Sequence, residues 1–318
     1  MSKREGAPPT IVDVARLAGV SIKTVSRVMN KEPTVHPRTR ALVLGVVAQL
    51  NYRPQLSARS LAGAKSFLIG LLYCEKNAAY VAGMQSGATL RCREAGRHLV
   101  VESLQSAGDE LPAQIDSMLA TLRLDGMILT PPLCDDPRIL ETLRANRTPC
   151  VLISPAGDLH GTARVEMDDA AAAEELTNLL IGLGHADIAF IRGDQPASDR
   201  RERGFERAMR ARGLEIQPES VMPGRFDFAS GVDAANRLFD RPAPPTAVFA
   251  ANDDMALGVL AVAQREGLAV PRDLSIVGFD DSRAATQVWP ALTTVRQPVA
   301  EMAMAAVDLL LSDALKAG

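Results

Sequence analysis

Short apolar runs alternate with amphipathic stretches along residues 67–281, and this alternation limits the possible folds more than any other feature of the sequence. Runs of this length are typical of buried strands, and the stretches between them have helical periodicity. The runs are FLIGLLY, HLVVESL, GMILT, CVLI, DIAFIRG, TAVFAAN and LSIVGFDD, and the predicted helices cover 82–95, 111–122, 169–182, 200–212, 229–239 and 253–266. Such alternation predicts parallel sheets with crossover helices, in two Rossmann-like subdomains.

Length and composition narrow the class of protein. A chain of 318 residues is too long for one small core, and its 47% hydrophobic and 23% charged residues are ordinary globular proportions. Because no apolar run reaches about 18 residues and the first ten residues resemble no secretory signal, we expect a cytoplasmic protein without membrane association. Four scattered cysteines without metal-ligand spacing are expected to pack as small apolar groups: Cys74, Cys92, Cys134 and Cys150.

The first 63 residues carry a positive charge that the rest of the chain offsets. Ten lysines and arginines stand against three acidic residues there, a net charge of +7, while the whole chain has a net charge of −3. The remaining residues therefore carry −10. A basic head on an acidic body is typical of a polyanion-binding module joined to a separate domain.

Three short helices are predicted within this basic head. Thr10 and Asp13 form a capping box before an apolar stripe, and Gly19 ends the first helix. Ser21 caps a second helix, so that a tight glycine-containing turn joins the two as a helix-turn-helix. Pro37 opens a third helix with a stripe of valines. Single stripes on three helices predict one small bundle.

The bundle would leave one face of the second helix exposed, and that face holds Ile22, Lys23, Ser26 and Arg27. Lysine and arginine donate to guanine O6 and N7, hydroxyls suit phosphate oxygens, and isoleucine can touch a thymine methyl. These residues predict a recognition helix for the major groove of double-stranded DNA. A protein-interaction module is the alternative, which the positive charge makes weaker.

The segment TIVDVARLAGVSIKTVSRVMNKEPTVHPRTRALVLGVVAQLNYRP resembles the DNA-binding head of the lactose-repressor (LacI/GalR) family, because it follows D-V-A-x-x-A-G-V-S-x-x-T-V-S-R-V-x-N almost throughout. The resemblance implies that the DNA bases are read by Ile22, Lys23 and Arg27. It implies that the residues near phosphates are Ser21, Thr24, Ser26 and Asn30. It further implies that residues 55–65 are a hinge helix whose Leu61 wedges into the minor groove. A plain tether is the alternative for this short segment.

Polar residues follow several predicted strands of the body, where parallel sheets bind their ligands. Asn252 and Asp253 follow one strand, Asp280 and Asp281 follow another, and Arg201 lies in a loop that enters a helix. Together these groups give and accept hydrogen bonds, as sugar hydroxyls require. Each has a structural alternative, since the amide and carboxylates could cap helices or turns and the arginine could be solvated.

The body resembles the effector domain of the same family, itself similar to periplasmic sugar-binding proteins, in LGHADIAFI, RRERGF, VFAANDDMALGVL, DLSIVGFDD and LTTVRQP. The resemblance implies an α/β fold, with a small all-α helix-turn-helix head and two Rossmann-like subdomains of periplasmic-binding-protein type. Its implied effector contacts are Arg201, Phe226, Asn252, Asp280 and Gln297. Phe226 would face a sugar ring, or else belong to the core. We expect the neighbouring Arg200 and Arg203 to be solvated.

Two loops depart from the family pattern and add three candidate effector-binding residues. The first strand-to-helix loop reads EKNAAY, which keeps Asn77 and has Tyr80 near the position of an aromatic pair. SPAG, with Ser154, stands where the family often has aspartate or arginine. Because such loops set ligand identity, the effector does not carry over from the family.

The predicted domains are a head at 1–54, a hinge or linker at 55–65 and an effector-binding domain at 66–318. Within the last, the resemblance places an N-subdomain at about 66–166 plus 293–318 and a C-subdomain at about 167–292.

Enzyme signatures are missing from the sequence. It contains no G-x-G-x-x-G, G-x-x-x-x-G-K-[ST], G-x-S-x-G or H-E-x-x-H, and its four histidines are far apart. The adjacent carboxylates Asp168 and Asp169 are expected to point apart, and His185 is better explained by a structural hydrogen bond. We therefore expect neither an enzyme nor a bound cofactor or metal. A periplasmic-type solute receptor would need a signal peptide and no DNA-binding head, which is the opposite of this sequence.

The sequence thus predicts a transcription regulator, a repressor, that binds a pseudo-palindromic operator as a homodimer, because one head reaches only one half-site. A small molecule in the cleft, a sugar or sugar derivative, would control operator affinity by favouring one closure state. The alternative within this architecture is a regulator that responds to a purine or another metabolite.

Overall fold

The chain forms two compact units that divide between Phe67 and Leu68. The computed structural model describes residues 9–30, 32–53, 66–74, 78–104, 110–157 and 161–312. Within these ranges, no helix is both long and apolar enough to cross a membrane.

The described part of the first unit contains three helices: α1 (Ile11–Leu17), α2 (Ile22–Met29) and α3 (Pro37–Gln49). Each buries one apolar stripe in a shared cluster, as the sequence predicts for a small bundle. The cluster consists of Val14, Ala15, Ala18, Val25, Val28, Val43, Val46 and Tyr52.

Local signals set the boundaries of the first two helices. Thr10 and Asp13 complete a reciprocal capping box at the start of α1. At the start of α2, Ser21 Oγ accepts a hydrogen bond from the backbone N–H of Thr24 at 3.1 Å. Gly19, at φ +62°, turns the chain between them in a conformation that disfavours other residues. The predicted helix-turn-helix is therefore present.

The first sheet of the second unit has five parallel strands in the order β2, β1, β3, β4, β5. These strands are β1 (Leu68–Tyr73), β2 (His98–Ser103), β3 (Gly126–Leu129), β4 (Cys150–Ile153) and β5 (Ala163–Val165). Between them lie α4 (Ala78–Glu94), α5 (Leu111–Leu122) and α6 (Pro137–Ala145). The central strands are buried except at some of their ends, which explains their continuous apolar runs.

The second sheet also has five parallel strands, in the order β10, β9, β8, β6, β7. They are β6 (Ile188–Arg192), β7 (Val221–Pro223), β8 (Ala247–Ala250), β9 (Ser275–Asp280) and β10 (Thr293–Arg296). The helices of this half are α7 (Asp169–Gly182), α8 (Pro196–Ala211), α9 (Phe228–Phe239) and α10 (Asp253–Arg265), and α11 (Val299–Leu311) follows β10. The predicted α/β class and the two Rossmann-like subdomains are confirmed.

The C-subdomain ends later than the boundary predicted at about residue 293. β10 pairs with β9, with Thr293 beside Val277 and Arg296 beside Asp280, so the C-subdomain continues through β10. Of the elements described after Arg296, α11 returns to the first sheet, where its apolar face packs against α4. β10 is a short, partly exposed edge strand, and its sequence does not indicate which sheet it joins.

Several other short elements were absent from the sequence prediction. They are the edge strands β5 and β7 and the helices α6 and α11. Two predicted helices begin four residues earlier than expected, α4 at Ala78 and α8 at Pro196. Proline at the first turn of α8 is a start signal that the apolar periodicity alone did not reveal.

The contact between α4 and α11 depends on Gly87. A Cβ there would overlap the backbone of Ala300, whereas a Cβ at Gly182, the last residue of α7, would meet nothing within 4 Å. We expect Gly87→Ala to lower the free energy of unfolding by about 1–3 kcal/mol through overpacking, and Gly182→Ala to change it little. Denaturant unfolding measures both, and equal stability of the two variants would contradict this close packing.

His185 joins the starts of three strands in the second sheet. Its Nδ1 lies 2.9 Å from Thr246 Oγ1 and its Nε2 lies 2.9 Å from Ser275 Oγ, the structural role that the sequence suggested. Burial lowers the pKa of His185 below its usual 6.5. Because the folded pKa is the lower one, the stabilisation is complete above the unfolded pKa and is lost as the pH falls through the folded pKa.

We therefore expect acidification from about pH 7 to about pH 5 to destabilise the wild type more than His185→Gln. His98→Gln, a change at an exposed histidine at the start of β2, is the matched control and should keep the pH dependence of the wild type. Denaturant midpoints across this range give the comparison. The same pH dependence in all three proteins would rule out a stabilising neutral ring at His185.

Candidate functional site

Helix α2 presents its polar face to solvent. Its valines, Val25 and Val28, are buried in the cluster of the first unit, while Ile22 on the opposite side is 49% exposed. Of the candidate DNA-contacting residues, Thr24 and Ser26 are half-buried. The exposed candidates are Ser21, Ile22, Lys23, Arg27 and Asn30. The eighth candidate, Leu61, lies outside the described residues.

Three of these side chains already have partners within the described part of the head. Ser21 Oγ caps α2 and lies 2.9 Å from Thr24 Oγ1. Arg27 Nε lies 3.5 Å from the carboxylate of Glu32, and both side chains are nearly half exposed. Exposed ion pairs of this kind contribute little to stability, so Arg27 can exchange Glu32 for a phosphate or a base edge at small cost.

A cleft that is partly open to solvent lies between the two sheets of the second unit. The carboxyl ends of strands from both sheets contribute to its walls, as expected for parallel α/β sheets. Six candidate effector-binding residues line it: Tyr80, Ser154, Arg201, Phe226, Asp280 and Gln297. Sequence reasoning missed the lining residues Cys74, Thr130 and Gln195, and Asn77 lies outside the described residues.

Arg201 is fixed on one side of the cleft by three contacts. Its Nε donates to Asp169 Oδ1 at 2.9 Å, and its Nη1 donates to the carbonyl of Ala251 at 2.6 Å. The guanidinium carbon lies 3.8 Å from the ring centroid of Phe279, within the range of a cation–π contact. A guanidinium has five N–H donors, so donors remain for a ligand in the cleft.

Asp280 faces the cleft from the end of β9. Gln297 Nε2 donates to Asp280 Oδ1 at 2.5 Å, so the two residues form one polar wall. Both Asp280 (φ 137°) and the following Asp281 (φ 54°) have positive φ, which L-residues seldom adopt.

Asp253 supports this turn from behind. It is fully buried at the start of α10. Its Oδ2 accepts a hydrogen bond from the Ser282 N–H at 2.7 Å, and its Oδ1 accepts one from the Thr294 hydroxyl at 2.6 Å. One carboxylate therefore ties the loop after Asp280 to β10. This role is structural, but it differs from the helix cap that was the alternative for Asp253, because Asn252 caps α10.

Asn252 lies behind the cleft and is not among its described lining residues. Its Oδ1 accepts from the backbone N–H of Met255 at 3.0 Å, which caps α10, and its Nδ2 donates to the carbonyl of Phe226 at 3.2 Å. Phe226 packs against the backbone of Gly193, where a Cβ would overlap its ring. Asn252 thus acts as a helix cap that also positions an aromatic wall.

Among the described residues that line the cleft, three have positive φ although none is glycine: Ser154 at 46°, Phe226 at 61° and Asp280 at 137°. Such conformations cost on the order of 1–3 kcal/mol each and tend to occur at functional sites. Their presence in one cleft is a physical sign that its walls are held in a specific shape.

Arg200 is not the solvated residue that the sequence suggested. Its side chain is 14% exposed, and its Nε donates to Asp169 Oδ2 at 3.2 Å. Its Nη1 donates to the Pro155 carbonyl at 2.8 Å and its Nη2 to the Ser154 carbonyl at 3.2 Å. These partners are distant in sequence, so no local pattern indicates them. Asp168 caps α7 while the adjacent Asp169 is buried, so these two carboxylates have separate roles.

Burial keeps two side chains at or near the cleft, Tyr80 and Cys134, in their neutral forms. Burial raises the pKa of the Tyr80 phenol well above its usual value, and the pKa of the Cys134 thiol rises for the same reason. Tyr80 therefore contributes a neutral hydroxyl. Among the described residues, no group of three or more His, Cys, Asp or Glu side chains could hold a metal ion.

Comparison with known proteins gives two family matches. The family of bacterial regulatory proteins of the lacI type matches residues 10–55, and the periplasmic binding protein-like domain matches residues 177–315. Catabolite control protein A of Priestia megaterium is 34% identical over 95% of this chain and 91% of its own length.

Solved structures resemble the whole chain. The structure of the transcriptional regulator CelR in complex with cellobiose has a TM-score of 0.72 and 32% identity, over 98% of this chain and 94% of that one. The lac repressor dimer bound to operator and the anti-inducer ONPF has a TM-score of 0.82 and 28% identity, with the same two coverages. These relatives are regulators of transcription, which agrees with the expectation that the chain is not an enzyme. The chain belongs to the LacI family of bacterial regulatory proteins and is a DNA-binding transcriptional repressor with an effector-binding domain.

Proposed function

We propose that the chain is a cytoplasmic, homodimeric repressor whose binding to a pseudo-palindromic operator is controlled by a neutral carbohydrate in the cleft. We infer the class of ligand from the balance of charge in the cleft. Among the described lining residues, Arg201 is the one cation and Asp280 the one anion. A phosphorylated or carboxylated ligand would favour an excess of positive charge, which these walls do not offer.

The remaining walls suit a polyol. Tyr80, Ser154 and Thr130 offer hydroxyl groups and Gln297 offers an amide, so the cleft both donates and accepts hydrogen bonds. The buried ring of Phe226 offers an apolar surface on which the C–H face of a sugar can pack. The CelR structure was solved with cellobiose, which supports a carbohydrate in a cleft of this fold.

The exposed face of α2 in the head is suited to recognition of double-stranded DNA. The exposed side chains of α2 combine two cations with an apolar tip, the combination that reads the major groove. A helix of eight residues covers one half-site, so a two-fold dimer is the arrangement that binds a pseudo-palindrome. The lac repressor structure is a dimer bound to operator, and it supports the same assembly here.

Control by the ligand follows from population shift. A ligand that binds one relative arrangement of the two subdomains more tightly than another changes their populations by its difference in affinity. In this proposal the favoured arrangement determines whether the two heads of the dimer fit the spacing of an operator.

The ligand class is tested by thermal unfolding against neutral sugars, including D-cellobiose and D-ribose, with phosphorylated sugars and nucleobases as comparison classes. A ligand at 100 times its dissociation constant stabilises the fold by about 2.7 kcal/mol, which raises the midpoint by several degrees. We expect a shift with a neutral sugar that is lost in Asp280→Asn. Asp233→Asn, a change at an exposed carboxylate of α9, should keep the shift. A rise in the unfolding midpoint that occurs only with nucleobases or phosphorylated sugars would contradict the proposed ligand class.

The DNA-binding face is tested with a duplex that the wild type selects from a random-sequence pool. We expect Lys23→Ala and Arg27→Ala each to weaken binding by about 1–3 kcal/mol and to relax sequence preference, because base contacts carry specificity. Arg210→Ala, a change at a cation of α8 that is 77% exposed, should bind as the wild type does. Fluorescence anisotropy gives the affinities, and unchanged affinity and selectivity in both α2 variants would exclude this helix as the recognition helix.

A further inference from the structure

We propose that Arg200 is a positioning residue that ties the two subdomains together beside the cleft and that this tie sets how tightly the cleft holds its ligand. The effect on ligand affinity rests on the proposed function, whereas the tie between the subdomains does not. The sequence predicted only a solvated side chain for Arg200, and the contacts of its guanidinium suggest the role.

The tie joins elements of both sheets. Arg200 lies on α8, which packs on the second sheet, and its two terminal nitrogens donate to the carbonyls of Pro155 and Ser154, at 2.8 and 3.2 Å. These carbonyls follow directly after β4 of the first sheet. Ser154 lines the cleft and has a φ of 46°. Arg200 therefore holds the backbone of a cleft wall in a strained conformation, from the opposite subdomain.

The guanidinium of Arg200 is also linked to Arg201, the arginine that lines the cleft. The carboxylate of Asp169 is 1% exposed; its Oδ2 accepts from Arg200 Nε at 3.2 Å and its Oδ1 accepts from Arg201 Nε at 2.9 Å. A carboxylate is rigid and planar, so a change in the direction of one arginine is passed to the other. A ligand that re-orients Arg201 thereby changes the position of the group that holds Ser154.

The side chain at this position must be arginine for the tie to form. Three acceptors in different directions are satisfied by one planar fork, with Nε toward Asp169 and the two terminal nitrogens toward the carbonyls. Lysine presents a single ammonium on a flexible stem and keeps only the charge. A lysine variant, which keeps the charge but not the three hydrogen bonds, therefore distinguishes a positioning role from a merely electrostatic one.

The experiment compares Arg200→Gln and Arg200→Lys with Arg203→Gln, a control at an exposed arginine of the same helix. The first measurement uses no sugar and follows hydrogen–deuterium exchange of a peptide that spans residues 151–157. Exchange reports local opening, so we expect at least a tenfold faster rate in Arg200→Gln, with little change in Arg203→Gln. Equal exchange in these two variants would overturn the tie.

The second measurement is the affinity for D-cellobiose, or for the neutral sugar that gives the largest thermal shift. We expect Arg200→Gln to weaken it at least fivefold, the lower end of ordinary coupling between sites, and Arg200→Lys to restore less than half of the loss. A merely structural role would lower the unfolding midpoint but leave the affinity unchanged, and that result would overturn the positioning role. If the wild type binds no sugar, the proposed ligand class fails, whereas the exchange measurement still decides whether the tie exists.

Discussion

One buried carboxylate, that of Asp169, organises the cleft. Moving a lone carboxylate from water into a protein interior is strongly unfavourable unless ionic and hydrogen-bonding partners replace the water. Asp169 has two guanidiniums as partners, and each of its oxygens accepts from one of them. Removal of either arginine would leave part of that charge uncompensated. The position of Arg201 in the cleft and the grip of Arg200 on the neighbouring subdomain therefore depend on the same group.

The walls of the cleft are supported by side chains that no ligand touches in the proposed arrangement. Asp253 holds the turn after Asp280, and Asn252 holds the carbonyl of Phe226. Both supported residues have positive φ, a conformation that persists only where the surroundings fix it. The polar residues after β8 thus serve mainly to maintain the shape of a site to which they contribute little surface.

The sequence predicted what is local or periodic. The capping box at Thr10, the turn at Gly19 and the continuous apolar runs of the central strands each have a signal within a few residues, and each is present. Edge strands such as β10 were missed or misplaced because partial exposure removes the apolar signal. Arg200 was misjudged for a different reason, since its acceptors lie 31 to 46 residues away in the chain. The resemblance to family motifs assigned both Arg201 and Asn252 to the ligand. Arg201 does line the cleft, whereas the amide of Asn252 donates to a backbone carbonyl.

Gln297 lies on the second of the two described passages between the sheets, directly after β10 and before α11. Any rotation of one subdomain against the other must be taken up by backbone torsions in such short connections. Gln297 also lines the cleft, and its amide holds Asp280. A molecule seated against this side chain would therefore touch one of the short connections in which such a rotation changes the backbone torsions.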